Sequence, residues 1–140
     1  MNTSQLGNIG ESRVLCEFVK NEIPCFLPYG DGNTVDLVAY FHNRLNKIQI
    51  KTTEKRNSSG AMEWKVSHQE GFHGNRVSYS LDDIDYFAFY CLETDTVCLV
   101  PFDKDFPKST LSIRPDDYKG RHIAGMRFAS DYSIKTIALK

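Results

Sequence analysis

At 140 residues, with 41% hydrophobic and 25% charged residues, the chain is sized for one globular domain over residues 1–140, and its composition excludes disordered and collagen-like classes. No window approaches the roughly 18–20 apolar residues of a membrane span, and the opening MNTSQLGNIGESR lacks the apolar core of a secretory leader, so a soluble, cytoplasmic protein with no membrane partner is expected. The net charge of −1 conceals an asymmetry: residues 1–103 carry 9 Lys/Arg against 14 Asp/Glu, and residues 104–140 carry 8 against 4. Such a basic segment is either a phosphate-attracting face or an ordinary solvated surface.

In chain order, apolar positions recur at helical spacing from Ser4 to Ile23, with Ser4 placed to cap and Pro24 to stop the run. CFLPYGDGN reads as a short strand and a glycine-rich turn, followed by the strands VDLVAYFH and NKIQIKTT, too close together to be anything but a hairpin. NSSGAMEWKVSHQEGFHGN mixes turn residues with one short strand, EWKV, and is a candidate mobile loop beside a site. DYFAFYCLE and TVCLVPF read as strands joined at Thr94-Asp95, and DDYKGRHIAGMRFASDY as partly helical. Helix, hairpin and further strands make a mixed α/β fold around one sheet. Cys16, Cys25, Cys91 and Cys98 lack the close pairing of zinc ribbons and read as buried thiols.

Strand alternation puts Val35, Leu37, Ala39 and Phe41 on a core face with Ile48 and Ile50 of the return strand. A two-residue turn at Asn43-Arg44 pairs Leu37 with Ile50 and Asp36 with Lys51; a slip by one residue would expose the isoleucines, so burial selects this register or one shifted by two. Asp36, Gln49 and Lys51 then cluster on the other face. On the helix, Glu11 falls within the stripe of Gly7, Val14, Leu15, Phe18 and Val19, where a carboxylate needs a cation, metal or donor to meet it. Gly7 and Gly10 permit close backbone packing beside it. Asp36 with Lys51 alone is an ordinary surface ion pair; with Glu11 and an amide oxygen converging, the set suits a hard divalent cation and phosphodiester hydrolysis.

Glu11, Asp36 and the Gln49-Ile50-Lys51 triplet resemble the active-site signature of the PD-(D/E)XK nuclease superfamily. Within it, residues 5–56 most resemble small homing endonucleases encoded in group I introns, and more distantly Holliday-junction resolvases; the last third carries no family feature. The resemblance implies a restriction-endonuclease-like α/β core, a mixed β-sheet with the N-terminal helix packed against it, and Mg2+-dependent cleavage of double-stranded DNA, with Mn2+ able to substitute. It implies that Asp36 is the central metal ligand, that Gln49 and the Ile50 carbonyl supply further oxygens, that Lys51 acts on the attacking water or scissile phosphate, and that Glu11 supports the metal. Val35 stands where the motif has proline, and Gln49 where an acid is usual, which removes one negative charge.

Lys55, Arg56, Lys65 and Arg76 follow the site and are candidate DNA-backbone contacts. His68 and His73 read as surface or DNA-facing, and Trp64, Tyr79 and Tyr86 as core or interface aromatics. One site per chain predicts a homodimer or homotetramer for cutting both strands. The alternatives are a structure-selective resolvase that reads branched DNA by shape, and a nuclease-fold DNA-binding module without catalysis.

Overall fold

Asn2, rather than Ser4, caps the first helix. In the computed structural model of the chain, which describes residues 1–69 and 74–140, the Asn2 side chain accepts from the Gln5 N–H and the Gln5 side chain accepts from the Asn2 N–H, each at 2.9 Å. This reciprocal cap satisfies two donors that a helix N-terminus otherwise orphans. Helix α1 runs Thr3–Lys20 and ends before Pro24 is reached. Glu22 takes φ 59°, and the N–H groups of Glu22 and Ile23 donate back to the carbonyls of Val19 and Phe18, the left-handed closure of a Schellman motif.

The buried face of α1 is Gly10, Val14 and Phe18, so the stripe is rotated from the expected one. Glu11 is exposed, Val19 is 59% exposed, and Leu15 and Gly7 are half-buried. The contact at Gly10 sets this rotation: a Cβ there would lie 1.7 Å from the Thr52 hydroxyl oxygen, so only a glycine lets the helix backbone approach so closely. Gly7 faces open space and has no such role.

The main sheet has the order β1 (Cys25–Phe26), β2 (Leu37–Phe41), β3 (Arg44–Thr53), β7 (Tyr86–Cys91), β8 (Thr96–Pro101). The β3–β7 pair is parallel and the others antiparallel, which makes the sheet mixed. In the hairpin Leu37 pairs with Ile48 and Phe41 with Arg44, the register shifted by two from an Asn43-Arg44 turn. His42 and Asn43 form the turn instead, at φ 54° and 64°; two left-handed residues give the type I′ geometry whose twist matches that of the strands. A shift of two preserves every residue's face. Asn46 consequently lies opposite Ala39, buried, and its amide donates to the carbonyls of Ala39, Phe41 and Arg44.

Each face of the sheet carries its own core. Val14, Phe18, Leu37, Ala39, Ile48, Ile50, Ala88, Leu99 and Ile134 form the helix-side core. On the other face a two-stranded sheet of β4 (Met62–Lys65) and β9 (Thr110–Ile113) brings Met62, Trp64, Leu111 and Ile113 onto Phe87, Phe89, Cys98 and Val100. Val35 packs into this second core while Leu37 enters the first. The expected alternation therefore fails at its first step, because β2 begins only at Leu37, and Asp36 lies at the break.

A small pair of β5 (Ser67–Gln69) and β6 (Arg76–Ser78) flanks the site; residues 70–73, with His73 and part of the segment read as a mobile loop, lie outside the described residues. In the last third, the segment read as partly helical contains one 3-10 turn, Ala129–Tyr132, followed by α2, Ile134–Ala138, capped by Ser133. Cys91 and Cys98 are buried as expected, but Cys16 is exposed and Cys25 half-buried. All four thiols are free.

Candidate active site

Strand β3 outruns its partner. Its ladder with β2 stops at Ile48, whereas its pairing with β7 continues to Thr53, which leaves the edge of residues 49–53 open where β2 has ended. Asp36 closes the first step of that gap: its N–H donates to the Ile48 carbonyl at 2.9 Å, and its carboxylate accepts from the Ile50 N–H at 2.8 Å. In a strand the N–H and C=O of one residue point to the same edge, so the Ile50 carbonyl also faces the side on which Asp36 sits.

From the helix side Glu11 joins them. Glu11, Ser12, Leu15, Asp36 and Ile50 line a cavity of about 200 Å³. Burial pushes the Asp36 carboxyl up to about 6; the Ile50 N–H and Lys51 oppose this, and the nearby Glu11 carboxylate adds to it. A half-buried carboxylate that faces a second carboxylate, with one backbone donor for compensation, is short of positive charge. Two carboxylates and a carbonyl are the hard oxygens a Mg2+ or Mn2+ ion takes, with waters or phosphate oxygens completing its shell. Among the described residues no group of three or more His, Cys, Asp or Glu side chains is gathered as a metal site.

Lys51 and Gln49 stand on the opposite face of β3. The Lys51 ammonium donates to the Tyr79 hydroxyl at 2.8 Å and lies 5.0 Å from the Tyr79 ring centre. Burial lowers the Lys51 pKa; Asp36 opposes this and Arg76 reinforces it. The buried Gln49 side chain donates from Nε2 to the Thr34 carbonyl and accepts from the Tyr79 hydroxyl at 3.4 Å. It does not line the Glu11–Asp36 cavity. Tyr79 was legible only as a core or interface aromatic. Nothing in SYSL signals that its hydroxyl meets both motif side chains of β3.

The cations expected at the DNA backbone divide. Lys65 and Arg76 line a cavity of about 380 Å³ together with Lys51. Arg76 is held there by Ser67, to whose hydroxyl and carbonyl its guanidinium donates. Arg56 is paired with Glu93 at 2.8 Å, and Lys55 is exposed on the turn after β3. His68 is half-buried, its ring 4.7 Å from that of Tyr79. Trp64 is core, its indole N–H donating to the Tyr90 carbonyl at 2.9 Å, and Tyr86 is a half-buried neighbour of Phe41.

The fold is that of a bacterial homing endonuclease, I-Ssp6803I, whose solved structure superposes with a TM-score of 0.76 at 20% identity, over 94% of this chain and 88% of that one. No curated protein is detectably similar to the chain. A family profile described as PD-(D/E)XK endonuclease matches residues 1–135, so the match runs well past the stretch of residues 5–56 and includes most of the last third. Together with the fold, that match establishes that the chain belongs to the PD-(D/E)XK endonuclease family.

Proposed function

We propose that the chain is a Mg2+-dependent endonuclease that hydrolyses phosphodiester bonds in double-stranded DNA, of the site-specific homing type, with Mn2+ able to substitute. One observation carries this reading: at the open end of β3, consecutive residues serve two faces, with the Ile50 carbonyl beside Asp36 and Glu11 on one side and Lys51 on the other. Asp36, Glu11 and the Ile50 carbonyl would hold the divalent ion. When bound, that ion supplies Lewis-acid activation of a phosphoryl oxygen and of water.

The chain's own groups do the rest. Lys51 presents an ammonium where charge develops on the phosphoryl oxygens as water adds to phosphorus and a bridging P–O bond breaks. Gln49 keeps its oxygen on the Tyr79 hydroxyl, so its part is to orient neighbours, in place of the metal-ligand role that the family signature suggests. Lys65 and Arg76 flank Lys51 and suit the adjacent phosphates, and Lys55 and Arg56 suit the backbone further along. With one such site per chain, cutting both strands calls for a homodimer or homotetramer.

The test is Mg2+-dependent cleavage of a plasmid pool carrying linear sequence variants and a cruciform, with Asp36→Ala and Lys51→Ala alongside. Discrete fragments lost in both variants support the reading. Cleavage confined to the cruciform would replace it with a junction resolvase, and binding without any cleavage with a non-catalytic DNA-binding module.

A further inference from the structure

Tyr79 belongs to no motif of the signature, yet its hydroxyl touches both Lys51 and Gln49. It accepts from the Lys51 ammonium at 2.8 Å and donates to Gln49 Oε1 at 3.4 Å; Gln49 Nε2 in turn donates to the Thr34 carbonyl. The directions are forced. An ammonium only donates, so the hydroxyl must accept from it and spend its own proton on Gln49; the Gln49 amide, with its oxygen engaged, has its N–H free for a carbonyl. The chain ends two residues before Asp36.

The ring is fixed independently of the hydroxyl. It meets Phe87 edge-on at 5.4 Å and lies 4.7 Å from the His68 ring, and Val35 and Tyr79 pack against the same core. A lysine has four rotatable side-chain bonds and loses their rotamer freedom when held. A hydroxyl on a rigid ring removes that freedom before substrate arrives, which is preorganisation of a charge-stabilising group. The same chain gives Gln49 a physical reason: a carboxylate at that position has no proton to give Thr34.

Building on the nuclease reading above, we infer that Tyr79 is a positioning residue that holds the Lys51 ammonium at the reacting phosphate and, through Gln49 and Thr34, ties it to the segment that presents Asp36. The residue acts through Lys51 and does not itself touch the phosphate.

Tyr79→Phe keeps the ring and removes only the hydroxyl. Two measurements test it. In metal-free protein, NMR of the Lys51 Cε methylene should show two distinct protons, shifted by the Tyr79 ring, in the wild type, and a single averaged resonance in Tyr79→Phe. With enzyme in excess over supercoiled plasmid in Mg2+, the nicking rate constant should fall at least 10-fold in Tyr79→Phe while plasmid affinity changes less than 2-fold, with Lys51→Ala run as the inactive reference. Unchanged methylene resonances in Tyr79→Phe overturn the inference whatever the activity. Wild-type nicking rates in Tyr79→Phe beside an inactive Lys51→Ala also overturn it, and leave the nuclease reading standing. Absence of nicking by the wild-type protein counts against the nuclease reading instead, and the methylene arm still decides whether Tyr79 holds Lys51.

Discussion

Asp36 is the residue on which both the fold and the proposed chemistry turn, and the two pull in opposite directions. Its carboxyl is raised from 3.8 to about 6, so the folded chain holds the proton more tightly than the unfolded one. The stability that this proton contributes is fully present below the ordinary value and is lost as pH rises through about 6. In EDTA, Asp36→Asn should therefore melt above the wild type at pH 8, and the two should converge below pH 4, which thermal melts across that range check; in Mg2+ the variant should not cleave. Gln49→Glu should act the other way. It removes the donor to Thr34 and sets a carboxylate against that carbonyl, so we expect a loss of about 1–3 kcal/mol, read by denaturant unfolding. Gln49 and Lys51 were legible as neighbours because strand parity puts them on one face of β3, but Asp36, which parity would place with them, lines the cavity on the Glu11 side because β2 begins only at Leu37. Tyr79 was not legible, because 28 residues separate it from Lys51 and no local pattern marks which tyrosine's hydroxyl faces a strand.

At the scale of elements, the helix and the hairpin were both legible, and their details were set by contacts the sequence does not display. The helix's period was visible, but its rotation depends on Gly10 meeting Thr52, a contact between elements 42 residues apart in sequence. Glu11 accordingly rides the rim of the cavity and not the middle of the apolar stripe. This yields a paired prediction. Gly7→Ala, in open space, should stabilise by about 0.5–1 kcal/mol through helix propensity. Gly10→Ala should destabilise by about 1–3 kcal/mol through overpacking and lower cleavage by moving Glu11; unfolding and nicking assays on the two variants check both. In the hairpin, parity fixed the faces but left two registers, and the choice fell to His42-Asn43 because both residues adopt left-handed backbone, for which asparagine has a known tolerance.

Across the whole molecule, the near-zero net charge gave no warning of a nucleic-acid partner, and the local distribution matters more. Lys51, Lys65 and Arg76 gather around one cavity although the body of the chain is acidic. Lys65→Ala should weaken binding to all duplex sequences alike and reduce the slope of log affinity against log salt by about 1, as measured by anisotropy titrations at several salt concentrations. The last third was the least legible part. Its strand β9 and helix α2 complete the two cores, but they are short, and their loops carry no periodic pattern. In the proposed mechanism the end of β3 divides the labour on one phosphate, with Asp36 and Glu11 holding the metal ion that contacts it and Lys51 meeting it from the other face of the strand. Mn2+ binding to the protein with plasmid DNA, followed by electron paramagnetic resonance in the wild type, Asp36→Asn and Lys51→Ala, tests it most directly. Asp36→Asn should lose both bound Mn2+ and cleavage, whereas Lys51→Ala should keep the ion and lose cleavage; equal Mn2+ binding in the wild type and Asp36→Asn would remove Asp36 from the metal site.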